Sequence, residues 1–580
     1  MVSRQSIDQT EHLDASARAA WARIWSSISP ESQLLAWMDW VRHLSISPGK
    51  QEQLRQLALS QWEQLFRDWS EELAASARTT APASTPAYTD RRFSDPAWDR
   101  WPFNLLRQTY QAQQQWWQSA TEGVAGVEPH HQKMVAFGAE QWLNMFSPSN
   151  FALTNPLVWD KTLAEQGDNF SRGLENWQQD MQAQSAGEPP VGTEDFKVGQ
   201  DVAATPGKVV LRNELVELIQ YTPTTKQVHP EPILIVPAWI MKYYILDLSE
   251  QNSLIKYLVD QGHTVFCLSW KNPEAADHAF GMDDYIRLGW TASLDAVNVI
   301  VPGQKIHATG YCLGGTLLSI AAAGMARDGD ERLASLTFFA AQTDFSEPGD
   351  LSLFIDESQV SMLEAQMADE GYLRANQMEA AFQMLRSADL LWAPMVNKYL
   401  LGERRPLNDL MAWNADATRM PATMHSQYLR RMYLNNDLSQ NRYPLEGRIV
   451  SLAQINLPTF CVGTVSDHVA PWRSVYKLHY LVPAEITFVL TTGGHNAGIV
   501  SEPGHPRRNY QISTRAAGTA PILVDEWQAQ ASSHPGSWWS AWAEWLKARS
   551  GAPVKPPQMG AAKQGFAPLD PAPGQYVLVK

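Results

Sequence analysis

The feature that most restricts the fold of this chain is a regular alternation of short apolar runs with longer amphipathic segments. Each apolar run has the length and β-branched content of a buried parallel strand, and the segments between them have helical spacing. Strands that alternate with helices predict right-handed βαβ units around a mostly parallel sheet. The predicted strands are PILIVPAW (232–239), HTVFCLSW (263–270), KIHATGY (305–311), LASLTFFAA (333–341), PTFCVGT (458–464) and EITFVLT (485–491).

The chain before this pattern is predicted to be helical. A stretch rich in Ala, Ser, Thr and Pro, ASARTTAPASTPAYTD, predicts a linker at about 75–90. A second break at QSAGEPPVG (184–192) ends the helical region. We therefore expect a helical N-terminal domain at 1–190 and an α/β domain at 191–580.

The alternation stops between about 345 and 445, where helical patterns carry many Met and aromatic residues. Because this segment interrupts an α/β pattern that resumes after it, we expect a helical lid insertion above the edge of the sheet. The final stretch from 551 is rich in proline and is expected to be largely irregular.

Tryptophan is unusually frequent in the N-terminal region. The chain has 24 tryptophans, and many of those before residue 200 are three, four or seven residues apart, as on one face of a helix. The favoured interpretation is packing between helices. The alternative is an aromatic surface that meets a partner or a hydrophobic product.

Composition excludes several classes of function. With 46 basic and 61 acidic residues the net charge is 46 − 61 = −15, which argues against a nucleic-acid partner. Three cysteines form neither a disulfide framework nor a zinc pattern, and no metal site is expected. No secretory signal and no run of about 18 apolar residues is visible, so we expect a cytoplasmic protein.

The motif that points to chemistry lies where the strand at 305–311 meets the next helix. GYCLG (310–314) matches the nucleophile-elbow pattern G-x-S-x-G with cysteine in place of serine. The flanking glycines let strand and helix approach closely, so the central side chain projects above the sheet. The helix N-terminus favours a thiolate, and the backbone N–H of Leu313 can point at an oxyanion. The sequence predicts Cys312 as a nucleophile.

A cysteine nucleophile needs a base, and the base needs an orienting acid. In folds with this elbow the acid and then the histidine follow the nucleophile along the chain. Asp467 follows the next-to-last predicted strand, and His495 lies in the glycine-rich TGGHNAG after the last one. We predict these two residues as acid and base, with Asp247 and Asp344 as alternative acids.

An acyl-transfer site also needs a second donor for the oxyanion. In folds with this elbow that donor comes from the loop after the strand that precedes the first crossover helix. Here the loop is VPAWIMKYYILDL. A backbone N–H near Trp239 or Ile240 is therefore the candidate.

Together these motifs resemble a polyhydroxyalkanoate synthase of the class I, single-subunit type, within the α/β-hydrolase superfamily. Two places depart from the family pattern. Ala238 and Met241 stand where a proline and an asparagine are usual, and AAQTDF (340–345) replaces a more aliphatic run. The resemblance begins near residue 90 and rests on GYCLGGT, VSDHVAPW, GGHNAGIV, IMKYYILDL, DRRF (90–93), PSNFALTNP (148–156) and ELIQYTPTT (217–225).

The resemblance implies polymerisation of (R)-3-hydroxyacyl-CoA, such as 3-hydroxybutyryl-CoA, into polyester with release of CoA. The reaction would pass through a thioester on Cys312, with His495 as base and Asp467 either orienting it or helping to deprotonate the incoming hydroxyl. No cofactor is implied, because coenzyme A is part of the substrate and a product. Ala497 matches a family position near the acyl pocket, and Arg419 is a candidate for binding the polyanionic CoA.

The implied partners are the growing polyester, the granule surface, granule-associated proteins and a second copy of the chain. The N-terminal region is expected to support dimerisation, granule attachment or partner binding. Two other functions stay open. One is a cysteine α/β-hydrolase that cleaves esters or lactones, and the other is a non-catalytic granule scaffold.

Overall fold

The structure, a computed structural model, describes residues 28–75 and 90–580. The linker predicted at about 75–90 lies outside the described residues except at its two ends, and Trp21 and Trp25 lie outside them as well. In the described ranges no helix combines the length and the apolar character needed to span a bilayer.

The chain divides into two compact units that are built differently. The first, the helical unit, contains residues 28–75, 90–191 and the later segment Glu379–Pro406. The second, the sheet unit, contains Gly192–Met378 and Leu407–Lys580.

The helical unit is formed from helices whose ends are marked by their sequence. Four helices begin with proline, whose fixed φ suits the first turn and whose missing N–H has no intrahelical partner there. The side chain of Ser29 caps the first of them by accepting from the Ser32 N–H. The helix bounds are Pro30–Ser45, Pro48–Ala75, Phe103–Thr121, Pro129–Met145, Pro156–Ala164 and Asp168–Ala186.

The tryptophans of this unit are divided between core and surface. Trp40 and Trp98 are buried, and the indole N–H of Trp40 donates to the carbonyl of Ala120 at 2.9 Å. The interpretation of core packing is correct for these two residues and wrong for six others. Those six have 43% or more of their surface exposed and are Trp62, Trp69, Trp101, Trp142, Trp159 and Trp177.

The segment Glu379–Pro406 packs within the helical unit, although it is predicted from the sequence to belong to the lid insertion of the α/β domain. A Cβ atom on Gly173 would lie 2.0 Å from the carbonyl oxygen of Tyr399, so only glycine permits this approach. Arg404 donates to Asp180 at 2.7 Å. The predicted insertion is thus shared between the two units.

A ten-stranded sheet lies at the centre of the sheet unit, in the order β1-β2-β4-β3-β5-β6-β7-β8-β9-β10. The six central strands are parallel, and two further strands at each edge are joined by antiparallel pairing. The predicted α/β class with a mostly parallel sheet is confirmed. The strands are β1 Gly207–Arg212, β2 Val216–Tyr221, β3 Ile233–Val236, β4 Val265–Trp270, β5 Ile306–Tyr311, β6 Leu333–Phe339, β7 Thr459–Thr464, β8 Ile486–Thr491, β9 Asn509–Arg515 and β10 Ser532–Pro535.

The central strands are buried on both faces, as parallel strands with helices on each side must be. Two apolar cores lie in this unit. The helices include Leu254–Asp260, Ala292–Ile300, Leu313–Asp328, Trp472–Tyr476, Val524–Gln530 and Trp539–Lys547, and those of the insertion include Glu357–Glu370, Ala375–Leu385, Asp409–Asn414 and Ala422–Tyr428.

The strand order reverses at β3, because β4 lies on one side of it and β5 on the other. The connections after β3 and β5 therefore leave in opposite directions and open a crevice at the carboxyl ends of these strands. Ligands bind at such a switch point in open α/β sheets. Cys312 follows β5 directly, and the loop with Trp239 and Ile240 follows β3.

Candidate active site

Cys312 lies on a sharp turn between β5 and the helix Leu313–Asp328. Its φ of 52° and ψ of −124° are a rare conformation for a residue with a side chain. Its N–H donates to the carbonyl of Phe339 at 2.9 Å, and its own carbonyl accepts from the N–H groups of Gly315 and Thr316. The turn is thus held by hydrogen bonds on both sides.

The glycines around Cys312 permit contacts that no other residue allows. A Cβ atom on Gly314 would lie 2.1 Å from the carbonyl oxygen of Val236 at the end of β3. A Cβ atom on Gly310 would lie 2.4 Å from the Cα of Gly315. The elbow therefore brings the helix N-terminus against both strands of the switch point.

His495 lies between the carboxylate of Asp467 and the thiol of Cys312. Its Nδ1 is 2.8 Å from Oδ2 of Asp467, and Cys312 lies near enough to raise the pKa of the ring. The other carboxylate oxygen, Oδ1, accepts the N–H groups of Val469 and Ala470 at 2.9 and 2.8 Å. The structure thus brings together the three residues predicted as nucleophile, base and acid.

These contacts shift the ionisation of both partners. Burial raises the pKa of Asp467, but the charge of His495 and the hydrogen bonds to the carboxylate outweigh it and hold that pKa below its usual value. Burial lowers the pKa of His495, but Asp467 and Cys312 raise it well above its ordinary value of 6.5. The site favours an imidazolium next to an ionised carboxylate.

The predicted oxyanion donors lie at the switch point, one at the start of the helix after β5 and the other in the loop after β3. Leu313 is the first residue of its helix, and its N–H has no acceptor within residues 28–75 and 90–580. Trp239 is buried and its carbonyl accepts from Thr418, while Ile240 is partly exposed. The backbone of Leu313 thus has a free donor beside Cys312.

The alternative acids have other partners. Asp247 accepts from the hydroxyls of Thr205 and Ser253 at 2.5 and 2.6 Å, and burial raises its pKa to about 6. Asp344 accepts from the N–H and hydroxyl of Ser346. In the described part of the chain neither carboxylate contacts a histidine.

The two predicted substrate residues are held by their neighbours. The carbonyl of Ala497 accepts from the guanidinium of Arg508 at 2.5 Å. Arg419 donates to the backbone carbonyl oxygens of Pro273 and Lys580 at 2.6 and 3.2 Å. Substrate binding by Ala497 and Arg419 stays a prediction.

An aromatic group near Cys312 is not among the residues predicted from the sequence. The rings of Tyr428 and Tyr433 are 5.5 Å apart, and Phe345 lies 5.0 Å from Tyr433. Burial raises the pKa of both tyrosines, and the nearby Cys312 raises it further. The aromatic content of the insertion was the only signal in the sequence. It does not tell which rings face the nucleophile.

No metal centre is found in the parts of the chain that the structure covers, where no three His, Cys, Asp or Glu side chains are grouped to hold an ion. That the reaction needs no cofactor stays a prediction.

Comparison with known proteins identifies the family. The model of the N-terminus of poly-beta-hydroxybutyrate polymerase (PhaC) matches residues 89–258, and that of the poly-beta-hydroxybutyrate polymerase N terminal region matches 8–50. A poly(3-hydroxyalkanoate) polymerase of Methylorubrum extorquens is 41% identical over 86% of this chain and 82% of its own length. This chain belongs to the poly(3-hydroxyalkanoate) polymerase family.

A second family relative matches almost the whole chain. The poly(3-hydroxyalkanoate) polymerase subunit PhaC of Cupriavidus necator is 33% identical over 98% of this chain and 96% of its own length. The α/β hydrolase fold model matches residues 231–502, the range that holds Cys312, Asp467 and His495. A monoacylglycerol lipase of Paleococcus ferrophilus covers 58% of this chain and 100% of its own, with 11% identity and a TM-score of 0.33.

Proposed function

We propose that this chain polymerises (R)-3-hydroxyacyl-CoA into polyhydroxyalkanoate and releases CoA, with Cys312 carrying the growing ester as a thioester. The observation that carries the proposal is His495 between Asp467 and Cys312 on a nucleophile elbow. Membership of the family supports the substrate and the product.

The first step loads Cys312. The thiolate attacks the carbonyl carbon of the acyl-CoA thioester, and the proton of the thiol passes to His495. The Leu313 N–H and a donor near Ile240 hold the oxyanion of the tetrahedral intermediate. The carbon–sulfur bond to CoA then breaks, and the CoA thiolate takes the proton from His495. CoA enters as part of the substrate and leaves as product, and every step uses only residues of this chain.

The second step extends the ester. The 3-hydroxyl of one hydroxyacyl group loses its proton to His495 and attacks the acyl–Cys312 thioester. A new ester bond forms as the carbon–sulfur bond to Cys312 breaks, and the Cys312 sulfur takes the proton back from His495. The lengthened chain is then the acyl group of the CoA thioester that attacked, and it returns to Cys312 by the first step with release of CoA. Ester formation from a thioester is downhill and drives chain growth.

The contacts of Asp467 favour the orienting role over direct deprotonation of the hydroxyl. One carboxylate oxygen accepts from His495 and Thr464, and the other accepts two backbone N–H groups. The side chain is fully buried, which leaves no free oxygen for an incoming alcohol. We propose His495 as the sole general base.

Water must be kept from the acyl thioester, because hydrolysis would end the chain. The buried rings of Phe345 and Tyr428 belong to the predicted lid insertion and support this role. We propose that these rings shield Cys312 from water.

The exposed tryptophans of the helical unit support attachment to the polyester. A granule is a hydrophobic surface, and exposed aromatic residues bind such surfaces. We propose that the chain works at the granule surface in the cytoplasm, and dimerisation and granule-associated proteins remain proposed partners.

The test supplies (R)-3-hydroxybutyryl-CoA and follows both CoA release and insoluble polyester. We expect both from the unmodified chain, a loss of at least a thousandfold in Cys312→Ala, and retention in Cys267→Ala, whose thiol is buried in β4. Release of CoA with free hydroxy acid would identify a cysteine hydrolase. Full CoA release by Cys312→Ala would exclude the proposed nucleophile.

A further inference from the structure

A hydrogen bond links the two loops that carry the nucleophile and the base. Tyr311, the last residue of β5, donates from its hydroxyl to Oδ1 of Asn496 at 2.6 Å. Tyr311 directly precedes Cys312, and Asn496 directly follows His495. We propose that Tyr311 and Asn496 are positioning residues that hold His495 in line with Cys312.

The tyrosine is suited to this role because it is rigid and buried. Only 2% of its surface is exposed, and its ring centre lies 5.8 Å from that of His495. A hydroxyl on a fixed aromatic ring at the end of a central strand has little freedom to move. The Asn496 side chain therefore meets a donor in a fixed place.

The histidine loop needs such a fixed point because of its own sequence. His495 follows two glycines, and Gly493 has a φ of 116° that few other residues adopt. The carbonyl of Asn496 accepts from the N–H groups of Ile499 and Val500, so this residue begins the turn that ends the loop. Fixing the Asn496 side chain thus fixes the residue next to His495.

A second anchor holds the other side of the loop. The guanidinium of Arg508 donates to the carbonyls of Thr492 and Ala497. Those contacts constrain the ends of the loop, but they do not constrain the side of the His495 ring that faces β5. The Tyr311 hydroxyl supplies that constraint.

The experiment removes each partner separately in the full chain. Tyr311→Phe deletes only the hydroxyl, and Asn496→Leu deletes the acceptor. We expect each to lower kcat for CoA release about tenfold with KM unchanged, because a buried hydrogen bond is lost and one partner is left unpaired. The double variant is expected to lose no more than the larger single loss, since the two residues act through one contact.

A second readout follows the thiol without any substrate. The charged or titratable groups around the His495 ring are Asp467, Cys312 and Tyr311, and Arg508 lies on the far side of its loop. A misplaced imidazolium stabilises the thiolate less. The rise of iodoacetamide alkylation of Cys312 with pH is therefore expected to move to higher pH in both variants.

The matched control is Tyr476→Phe. It removes a tyrosine hydroxyl that donates to the carbonyl of Ile522 at 3.0 Å, on a buried ring whose aromatic neighbours are His479, Tyr480, Phe488 and Trp527. If Tyr311→Phe and Asn496→Leu match this control in kcat and in the alkylation profile, the inference is wrong. The kcat readout rests on the proposed function, whereas the alkylation readout does not. If the unmodified chain released no CoA, the proposed function would fail, and alkylation would still test the inference.

Discussion

At the scale of single residues, Asp467 shows how a buried carboxylate stays ionised. Burial alone would favour its neutral form, but two backbone N–H groups, Thr464 and His495 surround it with donors. The motif VSDHVAPW indicated an acid after a strand, and the chain order indicated its partner. The two N–H groups that hold the carboxylate come from the turn itself, which residue types alone do not reveal.

The pair Asp467–His495 predicts a definite pH dependence of stability. The lowered pKa of Asp467 means that its ionised form stabilises the fold above about pH 4, and this contribution is lost as pH falls through the lowered value. The raised pKa of His495 means that its protonated form stabilises the fold below about pH 6.5, and this is lost as pH rises through the raised value. Both contributions are complete only between these limits.

We therefore expect Asp467→Asn to lower the free energy of unfolding by about 2 kcal/mol near the middle of that range and by less on either side. Urea unfolding at a series of pH values measures this. Asp525→Asn is the control, because the Asp525 side chain is 76% exposed and its ion pair with Arg473 contributes little. A loss in Asp467→Asn that is the same at every pH would contradict the argument.

At the scale of secondary structure, the central strands were predicted and the edges of the sheet were not. Buried parallel strands are continuous apolar runs, which the sequence displays directly. The edge strand Ser532–Pro535 is exposed at every residue and carries no such run. The start of the helix Leu254–Asp260 is fixed by Ser253, whose side chain accepts from the N–H of Lys256.

The elbow is the element whose geometry depends most on one residue type. In Gly314→Ala the added methyl carbon would lie 2.1 Å from the carbonyl oxygen of Val236, and backbone cannot yield that far. We expect this variant to be unfolded or strongly destabilised and to release no CoA. Thermal unfolding of the purified chain measures it.

Gly49→Ala is the matched control, because nothing lies within 4 Å of a Cβ atom built there and the residue is in a helix. Its unfolding temperature is expected to be unchanged or slightly higher, since alanine favours a helix over glycine by up to about 1 kcal/mol. A Gly314→Ala chain as stable as Gly49→Ala would show that the elbow is looser than the structure has it.

At the scale of the whole molecule, the helical unit carries exposed aromatic residues. Composition alone does not tell which aromatic residues are exposed. Helical spacing of tryptophan predicts one apolar face, but only packing decides whether that face is covered. Trp142 and Phe146 stack with ring centres 5.6 Å apart, and both are about 60% exposed. They also line a groove of about 410 Å³.

We expect the double change Trp142→Gln and Phe146→Gln to reduce binding of the chain to amorphous polyester particles severalfold, because the exposed apolar area is lost. CoA release from soluble substrate is expected to stay unchanged in the initial phase. Co-sedimentation with the particles measures binding. Leu523→Gln, which removes a 63% exposed apolar side chain of the sheet unit, is the control. Equal sedimentation of both variants would show that Trp142 and Phe146 do not contribute to attachment.

The return of Glu379–Pro406 to the helical unit has a consequence for dissecting this protein. A deletion that stops at residue 190 would strip away Gly173 and Asp180 and leave Tyr399 and Arg404 facing solvent. The shortened chain would then be destabilised by the loss of these packing partners. A fall in its activity would be misread as the loss of a function of the N-terminal region. A deletion that tests the helical unit therefore has to remove Glu379–Pro406 together with the residues up to 191.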